Sequence, residues 1–265
     1  MALLDLPAKA REVADRVIAE ESARRRHLVI TLSGSHAYGF PSPDSDLDIK
    51  ASHAAPASGF LGLSAPAAAA DRLEVIDGVE IDYTSNEIAP VVAGILGGNG
   101  NYIERVLGEL ILATSPEHEE LSPLVSASLS RRVHRHYRGF GRSQRIAFEE
   151  SDKPTAKKLL YVLRTALTGT HLLLTGELLV DLNETAPQYG YADAVELIEA
   201  KRAGERVVLP AALRDAWLGR LDPLFATLDD ARARSALPEE PPNADALEAW
   251  LVALRRPELG ALGAV

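Results

Sequence analysis

The chain has 265 residues, no cysteine, 46% hydrophobic and 25% charged residues, and a formal net charge of −10 at pH 7. Such a composition suits one large domain or two modest ones with well-filled cores, and it excludes disulfides, thiolate-bound zinc and thiol catalysis. The acidic balance argues against a general nucleic-acid coat, although local basic patches can still hold phosphate.

The opening M-A-L-L-D-L-P carries an acid at position 5 and too short an apolar run for a secretory signal. Residues 8 to 26 read as a helix with Val13, Val17 and Ile18 on one side. Its Arg24-Arg25-Arg26 end reads as solvated, where cations suit the helix dipole, with a substrate contact as the alternative. Residues 27 to 32 follow as the first core strand and deliver the chain to Gly34.

Residues 32 to 50, L-S-G-S-H-A-Y-G-F-P-S-P-D-S-D-L-D-I-K, organise the rest. On a strand, the period of two puts Asp46 and Asp48 on one face and Leu47 and Ile49 on the other. Two carboxylates side by side repel by several kcal/mol in a partly dry site unless a proton or cation relieves them, and Mg²⁺ takes such oxygens. Gly34-Ser35 suits the same purpose, since glycine allows close backbone approach and turn N–H groups can hold phosphate oxygens. Three plainer readings compete. Asp-x-Asp in P-S-P-D-S-D is also what a solvated turn looks like, and a glycine-serine pair also punctuates elements. A calcium loop fails, because counting from Asp44 its sixth and twelfth positions are Ile49 and Ala55.

Residues 51 to 70 read as a loop with a short element near residues 60 to 63. Residues 75 to 84, V-I-D-G-V-E-I-D-Y-T, read as a hairpin turning at Asp77-Gly78. After the turn Glu80 and Asp82 share a face. Residues 86 to 97 read as a helix capped by Asn86 and stopped by Gly97-Gly98, and residues 102 to 112 as another. The polar stretch 114 to 123, with two prolines, reads as a domain boundary. Beyond it no strand is evident, residues 181 to 190 read as a long loop, and residues 238 to 243 as a connector. The most apolar stretch, 159 to 180, is broken by Arg164, His171 and Glu177, so no membrane span and a cytoplasmic protein are expected.

Two basic clusters stand out against the acidic whole. Arg131, Arg135, Arg138, Arg142 and Arg145 recur at helical steps of four and three, as a track for RNA or triphosphate or as a stripe neutralised by Glu117, Glu119, Glu120, Glu149 or Glu150. Gly139 and Gly141 weaken the assumption of a continuous helix there. In the strong helix 155 to 175, Leu159, Leu160, Leu163 and Leu167 make a core stripe, while Lys157, Tyr161, Arg164 and Thr168 line another side, a substrate face or a wet one. There is no G-x-x-x-x-G-K-[ST], G-x-S-x-G or H-E-x-x-H, so P-loop, serine-hydrolase and zinc-peptidase readings lack their residues.

The string G-S-x-A-Y-G-x-x-x-P-D-S-D-x-D resembles the DNA polymerase β-like nucleotidyltransferase superfamily, and within it the nucleotidyltransferases found beside RNA ligases. The residues read as an α+β catalytic half over residues 1 to 115 followed by an all-helical domain over residues 124 to 265, and the resemblance implies that the first is a small mixed sheet flanked by helices. It implies a third acid on a neighbouring strand, with Asp82 the choice and Glu80 the fallback. It further implies transfer of a nucleoside monophosphate from an NTP to a hydroxyl, with two Mg²⁺ or Mn²⁺ ions on Asp46, Asp48 and Asp82. Gly34 and Ser35 would meet the phosphates, and Lys157 or Lys158, Tyr161 and Arg164 the nucleotide. Lys50, Pro56 and Phe60 fit the pattern after the acids, and Asn101 and Glu104 fit a later G-N-x-N-x-x-E stretch. The implied acceptor is an RNA end, in company with an RNA ligase system. The alternatives are AMP transfer to a protein side chain, as in minimal nucleotidyltransferases of toxin-antitoxin systems, and an inactive nucleotide- or RNA-binding module.

Overall fold

The computed structural model describes residues 6–204 and 207–262, so the opening five residues considered above lie outside the described residues. The chain gathers into two compact units: residues 6–33, 46–129 and 241–262 form the first, and residues 34–45, 130–204 and 207–240 the second.

The first unit is built on strands β1 (Arg26–Leu32), β2 (Leu47–Ala54), β3 (Ala69–Ile76), β4 (Val79–Glu87) and β5 (Ile111–Thr114). Their order is β3-β4-β2-β1-β5, with β2 and β4 parallel and the other neighbours antiparallel. Helix α1 (Ala8–Ser22) lays Val13, Ala14 and Val17 against Ile30, Leu32, Leu47, Ile49, Ala51 and Ile81, all of one sheet face. Each fully buried aliphatic side chain there stabilises the unit by about 1.5–3 kcal/mol. Helices α3 (Ile88–Leu96) and α4 (Gly100–Leu107) pack on β2, and Arg105 of α4 reaches Asn86 on the opposite face. The Asp77-Gly78 hairpin forms as expected, with both residues at positive φ (50° and 78°).

Several elements differ from the sequence reading. Arg25 does not dangle in solvent: it turns inward to Glu21 and donates to the Tyr83 hydroxyl at 3.0 Å, while Arg26 already belongs to β1. Burial opposes ionisation of Glu21, but Arg25, Arg24 and Arg72 outweigh it and hold the carboxyl below its usual range. Asn86 is not the cap of α3. Glu87 is, accepting from Ala89 N, while Asn86 accepts from Arg105. The helix read over residues 102 to 112 stops at Leu107, because Ile111–Thr114 pairs with the free side of β1. The polar stretch read as a boundary is helix α5 (Pro116–Ser126), with Ser115 as cap and proline at its start. The first unit therefore continues past residue 115, and α11 (Ala244–Leu262) rejoins it: α11 packs on α5, α3 and the 3-10 turn Ala57–Phe60, and Arg255 pairs with Glu87 at 2.7 Å.

The second unit comprises α2 (Gly34–Ala37), α6 (Val133–Glu149), α7 (Ala156–Thr175), α8 (Leu182–Gln188), α9 (Ala194–Arg202) and α10 (Ala211–Arg234). Helix α7 is buried all round from Leu159 to Leu173 apart from Tyr161, as a central helix of a bundle must be, with α6, α8, α9 and α10 packed on it. Gly141 does not break α6; it makes room for Phe225, to which an added Cβ would come within 3.1 Å. The long loop read over residues 181 to 190 holds α8, capped by Asp181 accepting from Asn183 N at 2.8 Å. Among the described residues no helix is long and apolar enough to cross a membrane.

Candidate active site

Strand β2 alternates as its sequence dictates. Leu47 and Ile49 are 1% and 0% exposed, so Asp48 and Lys50 face the other way, and Asp46 immediately precedes the strand. Parallel pairing places Asp48 opposite Asp82 and Leu47 opposite Ile81, so the two aspartates project from adjacent strands on one face. The Lys50 ammonium joins them, 2.9 Å from Asp82 Oδ1, 3.8 Å from Asp48 Oδ1, and donating to the Asp82 carbonyl at 3.3 Å. Glu80, two residues earlier on β4, is exposed and lies opposite Val75.

Asp48 and Asp82 are thus brought together. Asp46 does not complete a triad with them: among the described residues no three Asp, Glu or His side chains are placed to share one ion. The donor set nevertheless fits a hard cation, since two carboxylates converge where a positive charge already sits.

The Gly34–Ser45 segment is held within the second unit. Gly34 takes φ +63°, which a side chain would strain, and opens α2. Ser35 is 1% exposed and its Oγ has no hydrogen-bond partner among the described residues, an uncommon state for a buried hydroxyl. The side of α7 bearing Tyr161, Arg164 and Thr168 is not a wet face: Arg164 and Thr168 are buried, with the Arg164 guanidinium 3.6 Å from the Tyr38 ring centre. Tyr161 packs edge-on against Tyr38 and Phe40. Lys157 is half-buried on this side, whereas Lys158 is exposed and donates to Ser151 Oγ at 2.7 Å.

One residue of this segment's support went unread in the sequence. Lys201 is fully buried, and its ammonium donates to Ser42 Oγ at 2.9 Å and Ser45 Oγ at 2.6 Å. The signal was present: Ala194, Leu197, Ile198 and Lys201 follow i, i+3, i+4, i+7, which puts a lysine at a core position of α9. A buried ammonium needs polar partners, and the serines before Asp46 supply two.

Apart from Arg131, which precedes the helix, the arginine stripe lies along a continuous α6, beside a groove of about 740 Å³ lined by His134, Arg135, Arg138, Arg142, Arg145, Glu149 and Asp229, among others. Its neutralising acids are mostly others than expected. Arg138 pairs with Asp229 at 3.0 Å, Arg145 with Asp222 at 2.6 Å and with Glu149 at 2.7 Å, and Arg131 with Glu239 at 2.8 Å. Arg135 and Arg142, a helical interval of seven apart, are exposed and form no ion pair among the described residues.

Comparison with known proteins adds the lineage. An uncharacterized protein of Methanocaldococcus jannaschii is 28% identical over 158 residues, 59% of this chain; the chain spans 64% of that relative's length. Among solved structures, a nucleotidyltransferase-like protein from Exiguobacterium sibiricum 255-15 aligns over 84% of this chain and 74% of its own, at 9% identity and a TM-score of 0.35. The sequence profile of one family matches residues 11–253, spanning the aspartate-bearing strands and the helices that follow them. By that match the chain belongs to the RNA repair pathway DNA polymerase beta family.

Proposed function

We propose that the chain is a metal-dependent nucleotidyltransferase that moves a nucleoside monophosphate from an NTP to the hydroxyl of an RNA end. The observation that carries this reading is the facing pair Asp48 and Asp82 on adjacent parallel strands, drawn to a single cation. The acceptor oxygen bonds to the α-phosphorus, the bond from that phosphorus to the α,β-bridging oxygen breaks, and pyrophosphate leaves while the hydroxyl proton passes to solvent. Mg²⁺ or Mn²⁺, as one or two ions, would neutralise charge at the phosphates and acidify the acceptor hydroxyl when bound.

Asp48 and Asp82, with Asp46, would hold the ions. Gly34 gives backbone access to the phosphates, and the Ser35 hydroxyl, which lacks a partner among the described residues, gains one there. Lys157 and Arg164 balance the triphosphate's charge and Tyr161 presents an aromatic edge to the nucleoside. Lys158, turned to Ser151, takes no part. Arg135 and Arg142 meet the RNA backbone. Membership in an RNA repair family supports RNA as the acceptor class.

The test is incubation with Mn²⁺ or Mg²⁺, each α-labelled NTP, a short RNA and a bystander protein. Label entering RNA, lost in Asp48→Asn, is the expected result. Label entering protein replaces the RNA acceptor with a side chain, and NTP binding without transfer leaves a binding module.

A further inference from the structure

Lys50 has no assigned part in the chemistry above, yet it stands at its centre. It follows Asp48 by two residues on the same face of β2, and three oxygens surround its ammonium: Asp82 Oδ1 at 2.9 Å, the Asp82 carbonyl at 3.3 Å and Asp48 Oδ1 at 3.8 Å. Thr31 of β1 and Thr84 of β4 are its registered neighbours, so no further charge intervenes on either adjoining strand position. A divalent ion bound by Asp48 and Asp82 would claim the oxygens that the ammonium now occupies. With only these carboxylates present and no triphosphate to offset the repulsion, the ion and the ammonium compete for the same oxygens. Lysine suits a place that must be vacated, being a compact charge on a flexible four-carbon stem, and its side chain here is 21% exposed, with a way out to solvent.

We infer that Lys50 is the resident counter-ion of the Asp48–Asp82 pair and that the divalent ion binds by displacing it. The ammonium holds the two carboxylates face to face before the ion arrives, and it sets a threshold that the ion must exceed. The ion therefore binds in exchange for Lys50, and a chain without the ammonium binds it more tightly. This inference rests on the reading of Asp48 and Asp82 as ligands of a divalent ion.

The experiment titrates Mn²⁺ into the full chain and follows free Mn²⁺ by electron paramagnetic resonance, for wild type, Lys50→Met, Lys50→Gln and the double variant Asp48→Asn/Asp82→Asn. Both Lys50 variants are expected to lower the Mn²⁺ dissociation constant by about fivefold, the scale of a partly exposed ion pair. Without metal they are expected to melt below wild type and to regain more from added Mn²⁺ than wild type does. An unchanged or raised dissociation constant in both variants overturns the inference while leaving the carboxylates as metal ligands. Mn²⁺ binding that is absent from wild type, or that survives loss of both aspartates, overturns the metal reading and the inference with it.

Discussion

Gly39 and Gly190 both take φ +82°, so both pay the same backbone strain if replaced by alanine, roughly 1–2 kcal/mol. They differ in what the new methyl group meets. At Gly190 none of the described residues lies within 4 Å of it. At Gly39 the Cβ falls inside van der Waals distance of Asp181 Oδ1 and Asn183 Nδ2, and 2.6 Å from Asp181 Cγ. Those atoms are fixed by their own duties: Asp181 caps α8, and Asn183 Nδ2 donates to the Gly39 carbonyl at 2.7 Å. Moving them sacrifices a cap of about 1 kcal/mol and a hydrogen bond of about 1 kcal/mol. Gly39→Ala should therefore destabilise the chain by roughly 3–4 kcal/mol and Gly190→Ala by roughly 1–2. Circular dichroism on urea and thermal ramps, run in parallel, reads the difference. Equal losses in the two variants would refute the claim that α8 is clamped onto the motif segment through Gly39.

Lys201→Met should cost roughly 2–4 kcal/mol in urea unfolding, since two hydroxyls lose a charged donor; a change below about 0.5 would contradict the buried clamp on Ser42 and Ser45. Burial, and after it Arg25 and His53, pushes the His27 pKa from the usual 6.5 down to about 4. The unfolded chain then takes up that proton first, so this contribution is complete above about pH 6.5 and is lost as pH falls towards 4, by at most about 3 kcal/mol. His27→Gln should flatten that limb of the stability-pH curve, which denaturant titrations at each pH would detect. Arg135→Ala/Arg142→Ala should lower RNA affinity and reduce the salt slope by about 2, without loss of stability. Arg138→Ala and Arg145→Ala should instead lower stability by up to about 1 kcal/mol each, because Asp229 keeps only His134 and Asp222 loses Arg145.

What the sequence disclosed follows its local periodicities. Leu47, Asp48, Ile49 and Lys50 alternate because one face of β2 is buried, and Asp77-Gly78 announces its hairpin through the positive φ that such turns require. What it withheld depends on partners distant in the chain. Residues 111–114 become a strand only because the edge of β1 lies open to them. Asp82, and not Glu80, lies in register with Asp48, which alternation along β4 alone does not specify, since both acids share a face. The C-terminal helix returns to the first unit through contacts such as Ser128 with Asn243, and no linear pattern marks that return. Lys201 was legible in principle, since a lysine on the apolar stripe of α9 asks where its charge is satisfied.

The central claim is that Asp82, in register with Asp48, is the second strand's catalytic carboxylate. Its most direct test compares the rate of nucleotidyl transfer from α-labelled NTP in Asp82→Asn and Glu80→Gln against wild type, with thermal melts showing that each variant folds. Asp82→Asn should lose on the order of a thousandfold or more, the scale expected when a metal-holding charge is removed from phosphoryl-transfer chemistry, and Glu80→Gln should stay within about threefold. Near-normal transfer by Asp82→Asn, or its loss in Glu80→Gln alone, would contradict the account.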